Sequence, residues 1–153
     1  MCNKYKVKCA LGKRGIGTKR REGDKITPIG RYNIKFLLYR KDRIKKIQTK
    51  LKKIAIKKNM GWCDDVNKPL KYNRLIKIKG EIKHEKLRRK DDKYNLLIPI
   101  KFNFDKPKVG SGSCIFIHLT KNYKSTAGCI ALKQKDFLIM LKLIKKSSKI
   151  KIF

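Results

Sequence analysis

Residues 114–132 read CIFIHLTKNYKSTAGCIAL and hold one of the chain's two histidines and two of its five cysteines. In the first six positions Ile115 and Ile117 alternate with Phe116 and His118, so a predicted strand places the isoleucines on one face and His118 on the other. A polar loop follows, and then the small residues of STAGC, which permit close backbone approach around Cys129. Cysteine is a potent nucleophile only as thiolate, and a neighbouring histidine can take its proton. Gly128, directly before Cys129, leaves room for backbone N–H groups to meet an oxyanion. The plainer alternative makes Cys129 a small buried hydrophobe and His118 a satisfied surface residue. Spacing alone leaves both open.

Further out, short segments with period-two character recur between Gly, Pro, Asn and Asp punctuation. YKVKCAL (5–11) alternates with Tyr5, Val7, Cys9 and Leu11 on one face, and RYNIKFLLY (31–39), LIKIKGEI (75–82) and YNLLIPI (94–100) also read as strands. Turn chemistry in EGDK, TPIG, NKP and VGSGS separates them. Many short strands at this spacing favour a sandwich or barrel over a parallel sheet layered with helices. KQKDFLIMLKLIKK (133–146) predicts a helix: Phe137, Leu141 and Ile144 share a face, and lysines gather where the C-terminal dipole favours cations. RIKKIQTKLKKIAIKK (43–58) has Ile44, Ile47, Leu51 and Ile54 at helical spacing but is rich in β-branched residues, so its period decides nothing.

At 153 residues the chain is expected to form one domain, 1–153, with a true core. Its 41% hydrophobic content argues against disorder in spite of a net charge of +33. That charge attracts polyanions, but the lysines are scattered, and clustered arginines and stacking aromatics are scarce. Biased residue usage explains it more simply than nucleic-acid reading does. The first residues, MCNKYKVKCALGK, lack the unbroken apolar core of a signal peptide, and runs such as FLIML are too short to span a bilayer. Five cysteines (Cys2, Cys9, Cys63, Cys114, Cys129) are an odd number without a C-x-x-C pair, which disfavours zinc and a disulfide framework.

Other motifs carry less. GKRGIGTK (12–19) nearly spells a phosphate loop, but Thr18 and Lys19 stand in reversed order and Pro28 follows too soon for a helix. It reads as a basic turn. WCDD (62–65) gathers two acids and a thiol without a histidine, His84–Glu85 is a catalytic or plain surface pair, and RRKDDK (88–93) is a solvated connection.

Taken together, these segments resemble the YkuD-type L,D-transpeptidase catalytic domain. In that family's signature a strand histidine precedes a loop and a Ser/Thr-His-Gly-Cys motif; here His118, Thr126, Gly128, Cys129 and Ile130 occupy the matching positions. REGDKITPIGRYNI (21–34) matches the family's glycine and TPxG segment through Gly23, Asp24, Thr27, Pro28 and Gly30, while GWCDD, YNR and HEKL resemble a subgroup of small, often signal-free members. Ala127 and Ala131 replace the usual motif histidine and Asn or Arg, and Leu119 stands where glycine is frequent. TAGC in place of SHGC is a feature of the same subgroup.

The resemblance implies a mainly β, L,D-transpeptidase-like sandwich or barrel with a few short peripheral helices and one C-terminal helix, with residues 43–58 extended and looped. It implies Cys129 as nucleophile, His118 as its base, and backbone N–H groups of Gly128 and Cys129 at the oxyanion. Thr126 and Ser125 would shape the loop, Tyr123, Trp62 and His84 would line the cleft, and Cys114 would be a core bystander. The expected partners are peptidoglycan stem peptides, which places the protein in bacterial cell-wall biogenesis and cell shape. No metal, organic cofactor or obligatory nucleic acid is implied, and a monomer is expected. The substrate implies the cell envelope, while the lack of a visible signal peptide leaves the cytoplasm open. The competing expectations are L,D-carboxypeptidase hydrolysis at the same site, or a non-catalytic basic protein that binds nucleic acid or anionic wall polymer.

Overall fold

The computed structural model describes residues 5–34 and 36–153; Cys2 lies outside them. Its strands begin with a short parallel pair, β1 (Ile16–Gly17) and β2 (Thr27–Pro28). β3 (Gly30–Asn33), β4 (Phe36–Tyr39) and β5 (Lys52–Ala55) come next, then β6 (Met60–Cys63), β7 (Leu75–Lys77) and β8 (His84–Lys86). The remaining elements are β9 (Leu96–Pro99), β10 (Phe116–Leu119), β11 (Ile130–Leu132), the helix α1 (Gln134–Leu143) and β12 (Lys149–Ile152). The fold is mainly β and sandwich-like, with sheets that do not close into a barrel.

A mixed sheet of order β11-β10-β9-β4-β5 organises the molecule. Its middle strands bury both faces, which is why LLIP and FIHL are apolar or buried at every position instead of alternating with polar residues. Period two still sorts them. Leu37, Leu96, Ile98, Ile117 and Ile130 point to one cluster, which α1 closes with Phe137 and Leu141. Leu38, Leu97 and Phe116 point the other way, onto Trp62 and Tyr94. The sheet β7-β6-β8 covers this second face, and Trp62 packs edge-on against Phe116 with ring centroids 5.3 Å apart. The C-terminal helix forms where its periodicity predicts, with Asp136 in the first turn and Lys142 in the last complementing the dipole.

Elsewhere the strand expectations need correction. Residues 5–11 form no strand: Ala10 alone makes a bridge to Ala131, through N–H···O bonds of 2.8 and 2.9 Å. Tyr5, Val7 and Cys9 are exposed and Ala10 is buried, so of the expected inward face only Leu11 packs against the core. Pairing with β11 turns Ala10 inward. The segment 31–39 is divided at Ile34, with β3 pairing with β12 while β4 enters the main sheet. Residues 43–58 are extended and looped, with β5 parallel to β4. Ile44, Ile47 and Leu51 still reach the core side of the sheet, so their spacing reports burial without a helix.

Candidate active site

β10 and β11 run parallel with Ile117 beside Ile130 and His118 beside Ala131. One residue back, this register sets Cys129 next to Phe116, on the face that also carries His118. A cavity of about 1020 Å³ opens there, lined among others by Cys129, His118, Cys114, Lys19, Asp64 and Glu85.

His118 is 7% exposed. Its Nδ1 lies 2.9 Å from the Leu119 carbonyl oxygen, which can only accept, so Nδ1 carries the proton and Nε2 keeps a lone pair. Burial lowers the imidazole pKa against the opposing pull of that hydrogen bond, and the ring is neutral at pH 7. Tyr94 braces it edge-on at 5.4 Å, and the Tyr94 hydroxyl donates to Glu85 Oε1 at 3.0 Å.

The Cys129 thiol donates to the Cys114 carbonyl at 3.2 Å, and the Phe116 N–H reaches its sulfur at 3.4 Å. Burial pushes this thiol up to about 12; Glu85 pushes the same way, while the Phe116 N–H and Lys19 oppose it. Among the described residues no hydrogen bond joins the sulfur to the imidazole. The resting pair is therefore a neutral thiol and a neutral base, not an ion pair.

The other predicted residues divide sharply. Thr126 and Ser125 line the cavity. Thr126 Oγ1 donates to the Cys129 carbonyl at 2.6 Å and accepts the Gly128 N–H at 3.1 Å, so it ties the loop together. That second bond corrects the oxyanion assignment, because the Gly128 N–H is already committed. Gly128 is needed instead for its backbone: φ is 138°, and a Cβ would lie 2.8 Å from the Ile26 carbonyl oxygen.

Trp62 does not line the cavity. It is 1% exposed in the core and its indole N–H donates to Asn73 Oδ1 at 2.8 Å. His84 also stands off it, with its ring against Gly61 and Nδ1 2.6 Å from the Ile82 carbonyl. Tyr123 faces outward between the Lys8 and Lys133 ammonium groups, 4.7 and 5.4 Å from its ring centre. Cys114, expected as a bystander, lines the cavity, has φ of 55°, and supplies the carbonyl that holds the thiol.

Sequence reasoning missed Lys19, Glu22 and Asp64, all in the cavity wall. Asp64 Oδ1 is buried there without a hydrogen-bond partner among the described residues, and burial raises its carboxyl pKa. Glu85 was within reach of sequence. Neighbours on a strand face opposite sides, so turning His84 away from the cavity turns Glu85 toward it.

A buried sheet thus presents a thiol and a neutral imidazole to one cavity on a mainly β scaffold. The model of the YkuD family, the L,D-transpeptidase catalytic domain, matches residues 3–152, and the chain belongs to that family. No curated protein and no solved structure matches it. Among the described residues no helix is long and apolar enough to cross a membrane.

Proposed function

We propose that the protein is a cysteine-dependent L,D-transpeptidase that acts on peptidoglycan stem tetrapeptides through a thioester on Cys129. The observation that supports this most directly is the β10–β11 register, which gives Cys129 and His118 a common face and a common cavity. The Cys129 proton passes to His118 Nε2, and the sulfur attacks the carbonyl that joins the L-centre to the terminal D-Ala. The imidazolium then protonates the departing amine, and D-Ala leaves. An incoming amine, from another stem peptide or a free D-amino acid, gives a proton to His118 and displaces the thiol, forming a cross-link or an exchanged terminus. The N–H of Cys129 is the oxyanion donor that remains once Gly128 is bound to Thr126.

His118 is suited to this cycle because its Nδ1 is fixed by Leu119 and its pKa is low enough to accept a proton at neutral pH. The thiol pKa of about 12 means that deprotonation is coupled to attack and does not precede it.

Intact-protein mass spectrometry with a stem tetrapeptide or a carbapenem tests the reading. Wild type is expected to gain an adduct that maps to Cys129 and is absent from Cys129→Ala. An unmodified Cys129 in folded, reduced protein refutes it. Release of free tripeptide without any amine acceptor would identify hydrolysis as the outcome instead.

A further inference from the structure

Among the described lysines that line the cavity, Lys19 is set apart by burial: its side chain is 2% exposed, while the others are exposed. The chain approaches past Gly112, where a Cβ would stand 2.6 Å from Lys19 Cε. The ammonium is held 2.5 Å from Asp24 Oδ1. Asp24 is in turn fixed by the N–H groups of Arg20 and Ile26 at 3.0 and 3.1 Å. A buried ammonium loses much of its hydration, so a position like this persists only where anions meet it. Asp24 satisfies one donor, and an ammonium has donors to spare after one hydrogen bond.

The cavity wall carries both signs of charge. Lys93, Lys121, Lys124, Lys133 and Lys135 line it but are exposed, while the Lys19 side chain is buried, and Glu22, Asp64 and Glu85 share the wall. The opposite effects of Lys19 and Glu85 on the thiol place the sulfur within the field of both. A peptide whose scissile carbonyl reaches that sulfur has its terminal carboxylate only one nitrogen and one α-carbon further on. The carboxylate must therefore lie close to the sulfur.

We propose that Lys19, anchored by Asp24, receives the terminal carboxylate of the donor peptide and so selects substrates with a free C-terminus. This assignment rests on the transpeptidase reading for the identity of the peptide, but its test does not depend on turnover. A stem tetrapeptide ending in free D-Ala and the same peptide ending in the D-Ala carboxamide are titrated calorimetrically into wild type, with Cys129 acylation followed in parallel by mass spectrometry.

Wild type is expected to bind the acid about 10- to 100-fold more tightly than the amide, the span of a charge-assisted hydrogen bond. Lys19→Met/Asp24→Asn, which removes both charges together, is expected to bind the two peptides alike. Lys19→Gln keeps a donor for Asp24 and serves if the double variant fails to fold. Equal binding by wild type, or a preference that survives in the variants, overturns the proposal. Acylation without preference sinks the Lys19 assignment and leaves the transpeptidase reading standing. Preference without acylation does the reverse.

Discussion

The resting state of Cys129 makes a kinetic prediction that separates a buried thiol from a preformed thiolate–imidazolium pair. Its pKa stands at about 12 against an ordinary 9.0, chiefly through burial. Each unit is a factor of ten, so at pH 7 the thiolate population is about 1,000-fold smaller than for an unperturbed cysteine. The thiolate that forms is intrinsically more reactive, because nucleophilicity rises with pKa at a Brønsted slope of about 0.4–0.5, which returns roughly 20-fold. Reaction with a small aromatic disulfide should then be about 30- to 60-fold slower than for a free thiol, before any limit from access. The assay is peptide-resolved mass spectrometry of Cys129 modification between pH 6 and 9, with N-acetylcysteine in the same sample as the free-thiol reference, because burial also raises the Cys9 thiol. The logarithm of the rate should climb with unit slope across that whole range. A plateau beginning near or below pH 7 would mean that the thiolate is already populated, and the account of a neutral resting pair would be wrong.

Three further outcomes follow from the same geometry. His118→Asn should lower Cys129 acylation by about 100-fold or more, and the acid limb of the wild-type profile should fall below the ordinary histidine value of 6.5 because burial lowers its pKa. Burial alone would raise the Asp24 pKa, but Lys19 and the N–H groups of Ile26 and Arg20 outweigh it and bring it down from 3.8 to about 2. The depressed pKa stabilises the fold by about 2 kcal/mol above pH 4, a contribution lost as pH falls through 2; urea unfolding of wild type and Asp24→Asn across that window measures it. Gly128→Ala combines a φ of 138° with a carbonyl 2.8 Å from the new Cβ, and should cost about 1–3 kcal/mol in thermal or urea unfolding.

Much of the scaffold could be read from pattern because its signals are local. The α1 segment carries its own period and charge bias, and β9 and β10 are apolar runs bounded by turns. The failures have a shared cause: they depend on what the segment meets. Residues 5–11 alternate correctly but bridge to the sheet only at Ala10, and Ile44, Ile47 and Leu51 pack against the core from an extended chain. In the site, Cys129 and His118 were brought together by motif and strand alternation, while the Gly128 N–H was given to the oxyanion because the Thr126 hydroxyl that captures it lies across a turn. Trp62 was expected in the cleft only through the resemblance, and an indole this large is also what the space between two sheets requires. Lys19 was hidden for a statistical reason with a physical basis. Among so many solvated lysines, only the cavity wall distinguishes one whose charge is buried.

The connection from Leu119 to Ile130 has a consequence for how this domain can vary. Parallel neighbours require a crossover, commonly a dozen residues or more and usually a helix. Here Thr120 to Cys129 makes the crossing without one, and most of these residues form a side of the cavity. Ten residues reach about 33 Å when extended, far more than the step from Leu119 to the start of the neighbouring strand, so the span carries slack that its turns take up. Changes of length between Thr120 and Ser125 therefore act on the cavity side before they act on the β10–β11 register. The strand pair that seats the thiol and the loop that meets the substrate can vary separately.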